Sequence, residues 1–130
     1  MAIHVGLDLV SVAQVQATLD GPLAARYLAR IYTETELGDC RTAEGIDPQG
    51  LAARFAAKEA TLKVLAEADG VPWRDIEVER APSGAVRLLL HGLAAQRAAD
   101  VGVVDLALSV THEDGFAAAV VIADCRPSTL

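Results

Sequence analysis

The segment from Gln49 to Leu65 carries the strongest helical signal in the chain, and it constrains what the rest can form. Leu51, Phe55, Leu62 and Leu65 recur at helical spacings, and much of the remainder is alanine. Alanine has the highest helix propensity and adds no bulk beyond Cβ, so this helix forms readily and lets its backbone approach its neighbours closely. It is expected to be the central helix of the fold.

Several other segments alternate with the period of a strand. Ile3, Val5, Leu7 and Leu9 interleave with His4, Gly6 and Asp8, which predicts a strand with one apolar face and a carboxylate on the other. Ile76 to Arg80 and Val86 to Leu90 read as a hairpin around Ala81-Pro82-Ser83-Gly84. Val104 to Thr111 and Phe116 to Ala123 read as a second antiparallel pair around Glu113-Asp114-Gly115. Shorter helices are predicted over Val12 to Thr18, Leu23 to Ala29, Thr33 to Cys40 and Gly92 to Asp100, the third capped by Thr33 with Glu36 three places on. Thr42 to Gly50 is expected to be a loop, Asp69-Gly70-Val71-Pro72 to stop the central helix, and Arg126 to Leu130 to fray. With helices and hairpins mixed, the fold class is α+β, an antiparallel sheet packed on a long central helix and shorter ones. At 130 residues the chain has the length of one domain, taken as residues 1–130, and one site is sought.

Charge narrows the function. A formal net charge of -7, from 11 basic against 18 acidic residues, removes the broad basic surface that nonspecific nucleic-acid binding needs. The first ten residues have no basic lead, and their apolar run is broken at Asp8, so neither a signal peptide nor a membrane span is predicted and a cytoplasmic protein is expected. Cys40 and Cys125 lie far apart without a Cys-x-x-Cys pattern or a nearby histidine, which predicts two reduced thiols and no zinc site.

Three stretches carry chemistry. In Gly6-Leu7-Asp8, a carboxylate near the end of an apolar strand is costly to desolvate unless a cation or donors meet it, and the glycine leaves room beside it. Taken alone it also fits a solvated strand-end aspartate. In Lys58-Glu59-Ala60-Thr61-Leu62-Lys63, Glu59 and Lys63 are four apart and share a helix face. That spacing fits a surface ion pair, or equally a glutamate on a metal with a lysine on the phosphates the metal touches. Leu108-Ser109-Val110-Thr111-His112-Glu113 puts a histidine at a strand exit, where a solvated or capping role competes with a catalytic one. A Ser109–His112 hydrolase site competes weakly, because Ser109 lacks a Gly-x-Ser-x-Gly elbow.

In order and together, these stretches resemble the acyl-carrier-protein synthase family of 4'-phosphopantetheinyl transferases over nearly the whole chain. The family's opening Gly-x-Asp strand is matched by Gly6, Leu7 and Asp8. Its Arg-Phe-x-x-Lys-Glu helix, with a lysine four places later, is matched by Arg54, Phe55, Lys58, Glu59 and Lys63. An Asp-Ile-Glu strand is matched by Asp75, Ile76 and Glu77, and a closing Leu-Ser-x-Ser/Thr-His strand by Leu108, Ser109, Thr111 and His112.

The resemblance implies a magnesium-dependent enzyme that transfers the phosphopantetheine arm of coenzyme A to a serine of an apo acyl carrier protein and releases 3',5'-ADP. It implies Asp8 and Glu59 as metal ligands, with Lys63 stabilising charge on the phosphates and a carboxylate or water beside the metal as base. Lys58, Lys63 and His112 are the implied contacts to coenzyme A, and the assembly implied is a homotrimer with sites at subunit boundaries. Whether the carrier belongs to primary fatty-acid or specialised biosynthesis stays open.

Two departures bear on the carrier. The family often has an arginine six residues after the first aspartate, where this chain has Gln14, and the segment Glu67 to Pro72 is acidic where basic residues are usual. Like charges oppose approach of an acidic carrier. Either docking is expected on a local patch, Arg26, Arg30 and Arg41, or the partner is a less acidic carrier, such as one in a biosynthetic synthase. The same departures allow a second reading, a carrier- or coenzyme-A-binding homologue without transferase activity, against which Asp8, Glu59 and Lys63 stand intact.

Overall fold

A computed structural model describes residues 2–65 and 68–127. The first strand, β1 (Ala2–Ser11), pairs antiparallel with the last, β7 (Phe116–Cys125), which pairs in turn with β6 (Val103–Glu113). The sheet order is thus β1-β7-β6, with β1 at one edge. The β6–β7 hairpin turns on Asp114 and Gly115, both at positive φ (52° and 79°), as an Asp-Gly turn between twisted strands requires. The second predicted hairpin, β4 (Ile76–Arg80) and β5 (Val86–Leu90), forms a separate two-stranded sheet.

The helices fall close to expectation: α1 (Val12–Leu19), α2 (Ala24–Ile31), α3 (Glu34–Asp39), α4 (Pro48–Val64) and α5 (Gly92–Val101). The capping box is present, Thr33 Oγ1 accepting from Glu36 N while Glu36 Oε1 accepts from Thr33 N. The central helix α4 begins one residue before the predicted start, because Asp47 caps it through Gln49 N and Pro48 fits the first turn, where an N–H would have no helical partner. Two details escape a periodicity reading. A two-residue hairpin, β2 (Arg41–Thr42) with β3 (Gly45–Ile46), occupies the predicted loop, and Trp73–Asp75 form a 3-10 turn before β4. Both are too short to generate a pattern. Of the tail expected to fray, residues 128–130 lie outside the described residues, as do 66 and 67. Among the described residues no helix is long and apolar enough to cross a membrane.

The core lies between α4 and the sheet. From the helix come Ala56, Ala57, Ala60 and Val64, and from β7 Ala119, Val121, Ala123 and Cys125, all buried. Small residues on both surfaces let the helix sit low, and Gly6 on β1 lets it sit lowest: a Cβ built there would fall 1.9 Å from the Ala60 carbonyl oxygen. A second cluster, including Val15, Ile31, Tyr32, Leu37 and Leu51, packs α1, α2 and α3 against the first half of α4.

The side of β1 that meets α4 is therefore the Gly6 and Asp8 side. The apolar side faces away, leaving Ile3, Val5, Leu7 and Leu9 between 54% and 64% exposed, with Ile122 of β7 beside them at 41%.

Candidate active site

Gly6 and Asp8 share a face of β1, two residues apart, so the contact of Gly6 with Ala60 brings Asp8 beside the last two turns of α4. On that stretch of helix stand Glu59 and, one turn later, Lys63. Lys63 Nζ donates to the Leu7 carbonyl at 2.6 Å and ion-pairs with Asp8 Oδ1 at 3.4 Å. The lysine has crossed to the strand; its ion pair is with Asp8 rather than with Glu59. Glu59 is close enough for the two carboxylates to feel each other. Burial, then the Asp8 charge, push its carboxyl above the ordinary range, and Lys63 pulls it partly back. The structure thus brings together Asp8, Glu59 and Lys63, three residues singled out from the sequence.

This arrangement suits a small divalent cation. A positive charge between the two carboxylates would relieve the cost that burial and the Asp8 charge impose on ionising Glu59, and oxygen is the ligand type magnesium prefers. Among the described residues no group of three or more His, Cys, Asp or Glu is placed to hold a metal. Such a pair leaves most of an octahedron to water and phosphate oxygens, as magnesium sites at phosphates usually do.

Lys58 corrects an expectation. It was expected to contact coenzyme A phosphates, but its side chain is 0% exposed and ion-pairs with Glu36 Oε1 at 2.8 Å. Its remaining donors go to the carbonyls of Trp73, at 3.2 Å, and Ile76. Burial holds its ammonium below the usual value, with Glu36 pulling it back up. Losing either partner alone would strand a buried charge, at about 3–5 kcal/mol.

His112 is exposed on β6. It pairs with Ala117, which pairs with Val10, whereas Asp8 pairs with Ala119. The histidine thus shares Asp8's face of the sheet but lies two strands across, about 10 Å, and two residues further along. One chain does not bring it to the carboxylates. Ser109, an odd number of residues from His112 on the same strand, points to the opposite face, which removes a Ser109–His112 pair.

The Asp-Ile-Glu stretch is structural. Asp75 Oδ2 accepts from Leu93 N at 2.8 Å at the start of α5. Glu77 accepts from Thr33 Oγ1 at 2.5 Å and pairs with His91 Nε2 at 3.1 Å. Glu36 was visible in the sequence only as a capping residue. Its second oxygen accepts from Val78 N at 2.9 Å, a long-range bond that no local pattern announces.

A groove of about 150 Å³, lined by Val10, Gln14, Val15, Thr18, Tyr27 and Phe55, opens two residues beyond Asp8 on β1 and one turn before Glu59 on α4. It adjoins a larger depression of about 250 Å³ that shares Thr18 and Tyr27 and adds Leu23, Arg26, Arg30 and Ile31. Arg41, on the β2–β3 hairpin, does not line it.

Residues 4–121, a span that includes Asp8, Glu59, Lys63 and His112, match the model of the 4'-phosphopantetheinyl transferase superfamily. The chain belongs to that superfamily. As a phosphopantetheinyl transferase it has close relatives of its own length. It is 45% identical over 124 residues to the holo-[acyl-carrier-protein] synthase of Anaeromyxobacter sp. (strain K), covering 94% of this chain and 95% of that protein. The synthase of Myxococcus xanthus is 41% identical over 118 residues, covering 90% of each. The fold agrees: the Chronobacterium ammoniagenes synthase in complex with coenzyme A superposes with a TM-score of 0.84 at 30% identity, over 98% of this chain and 100% of that one. The Helicobacter pylori holo-[acyl-carrier-protein] synthase, also in complex with coenzyme A, gives 0.79 at 26% identity, over 93% and 100%. The α+β class and the transferase family read from the sequence both stand.

Proposed function

We propose that this transferase moves the 4'-phosphopantetheine arm of coenzyme A onto a serine of an apo acyl carrier protein, releasing 3',5'-ADP, with Asp8 and Glu59 holding Mg2+. The convergence of Asp8, Glu59 and Lys63 where β1 meets α4 carries the reading. Bound there, the ion supplies neutralising charge and a fixed geometry for the pyrophosphate. Lys63, with its side chain 52% exposed, is free to swing from Leu7 and Asp8 toward the phosphates as charge gathers on them. The serine oxygen forms the new bond to the phosphorus bearing pantetheine, and the bond from that phosphorus to the departing ADP breaks. In this reading Lys63 protonates the leaving oxygen, and a carboxylate of the pair takes the serine proton. Incubation with coenzyme A, magnesium and a panel of apo-carriers is the direct test. The mass of one phosphopantetheine arm should appear on a carrier; no gain on any carrier would favour a homologue that binds without transferring.

The reading includes a homotrimer. Apolar rows on β1 and β7 facing solvent, with the helix on the other side, are what an interface between copies needs. His112, out of reach of Asp8 in its own chain, then serves a neighbour's coenzyme A at the boundary. Val5→Glu with Ile122→Glu, on cross-strand neighbours of this face, should turn a trimeric sedimentation profile monomeric and abolish transfer; an unchanged profile would place the interface elsewhere.

Carrier docking is assigned to the groove between α1 and α2, where Arg26 and Arg30 flank an apolar floor leading toward the site. The apolar floor and the two arginines suit an amphipathic, acidic helix. Reversing both charges, Arg26→Glu with Arg30→Glu, should raise the carrier KM about tenfold or more and leave the coenzyme A KM unchanged. An unchanged carrier KM would misplace the patch.

A further inference from the structure

Asp8 sits on a strand, but Glu59 sits on a helix whose rotation about its own axis decides where the carboxylate points. Successive helical residues are about 100° apart, so a modest turn of α4 would carry Glu59 away from Asp8. One side of the helix is held by the Gly6–Ala60 contact. Such a contact fixes distance, yet packed small residues can slide and rotate past one another.

The other side is held differently. Lys58 directs its ammonium to three acceptors on two separate segments: Glu36 of α3, and the carbonyls of Trp73 and Ile76 at the entry to β4. Glu36 is in turn fixed at both oxygens, by Thr33 N and Val78 N. Every donor of the ammonium is engaged, and both groups are 0% exposed. Directional contacts of this kind specify one arrangement where apolar packing tolerates several.

We infer that Lys58 and Glu36 form a positioning pair for Glu59, locking the rotation and height of α4 so that Glu59 faces Asp8, and that Lys58 makes no phosphate contact. The inference rests on the reading of Asp8 and Glu59 as the metal-holding pair. Neither Lys58 nor Glu36 touches a reacting atom; both act through the residue that follows Lys58 in the chain.

The chain contains only two lysines, Lys58 and Lys63, which makes amine acylation of the unmodified protein easy to read. Lys63 should label, and Lys58 should stay unlabelled with or without coenzyme A; Lys58 labelled in the free protein and protected by coenzyme A would overturn the inference. The second arm is Lys58→Met with Glu36→Gln, which removes both charges together. In the folded variant, Mn2+ binding in the presence of coenzyme A, followed by electron paramagnetic resonance, should weaken about tenfold, and kcat should fall by a similar factor. The coenzyme A KM should stay within about twofold. Unchanged Mn2+ binding and kcat would reduce the pair to a stability element, and a raised KM with unchanged Mn2+ binding would restore the phosphate contact; either overturns the inference. Should that variant not fold, Lys58→Gln with Glu36→Gln carries the same readouts, since it also removes both charges and leaves an amide at each position to meet the backbone partners. A wild-type chain that binds no Mn2+ beside coenzyme A would remove the proposed metal site itself, a result distinct from wild-type binding that the variants leave untouched.

Discussion

Asp8→Ala and Glu59→Ala are each expected to lower phosphopantetheine transfer by on the order of a thousandfold or more, because each removes half of the protein's hold on an ion whose charge stabilisation amounts to several kcal/mol. Neither should unfold the protein. Glu59 ionises reluctantly in the chain as it stands, first because it is partly buried and then because Asp8 is near. A carboxyl whose folded-state value is raised loses stability for the protein as pH climbs from the ordinary carboxylate value through the shifted one. Removing Asp8 relieves the second cause, so in the presence of a chelator the melting temperature of Asp8→Ala at neutral pH should match or exceed that of the wild type. Magnesium with coenzyme A should raise the wild-type melting temperature and leave both variants unmoved. Transfer assays and thermal scans, run side by side, check the two halves; a variant with near-normal transfer, or one whose loss of activity tracks loss of fold, would count against the assignment.

The second large effect is expected at Gly6, whose φ is not in the left-handed region and whose role is space alone. Any Cβ there would lie 1.9 Å from the Ala60 carbonyl oxygen, and backbone cannot turn aside as a flexible side chain can. Gly6→Ala must lift α4 from β1 or bend the strand. Overpacking of this kind costs about 3 kcal/mol or more, against a total stability of roughly 5–15 kcal/mol for a domain. A drop in melting temperature on the order of 10 °C is expected. Whatever fraction still folds should bind Mn2+ poorly, since the displaced helix carries Glu59 and Lys63 with it. Circular dichroism and Mn2+ titration test this, and a variant as stable and as tight as wild type would show that the close approach is not what sets the site.

What could be read in advance follows from range. The capping box at Thr33 and Glu36, the Asp-Gly turn before Phe116 and the alanine-rich central helix are local, and local patterns announce themselves in sequence. The motif residues Asp8, Glu59 and Lys63 were legible through their order, and Gly6 through the room it leaves. A lysine beside a site glutamate looks in sequence like a phosphate ligand, and only the fold reveals that α3 and β4 close over Lys58. Glu36 showed its short-range bond to Thr33 but not its bond to Val78, 42 positions away. The facing of β1 was equally hidden: alternation gave its two sides, and the polar side went to the helix because glycine, not leucine, admits a backbone at contact distance. The apolar side was left facing solvent.

Two acidic side chains, from β1 and α4, are proposed to close on one divalent ion that also meets the pyrophosphate. A crystal structure with coenzyme A and Mn2+, with the ion located by its anomalous signal, tests it most directly. One peak is predicted, coordinated by Asp8, Glu59 and pyrophosphate oxygens. A peak that engages neither carboxylate, or coenzyme A bound with no ion between it and them, would contradict the account.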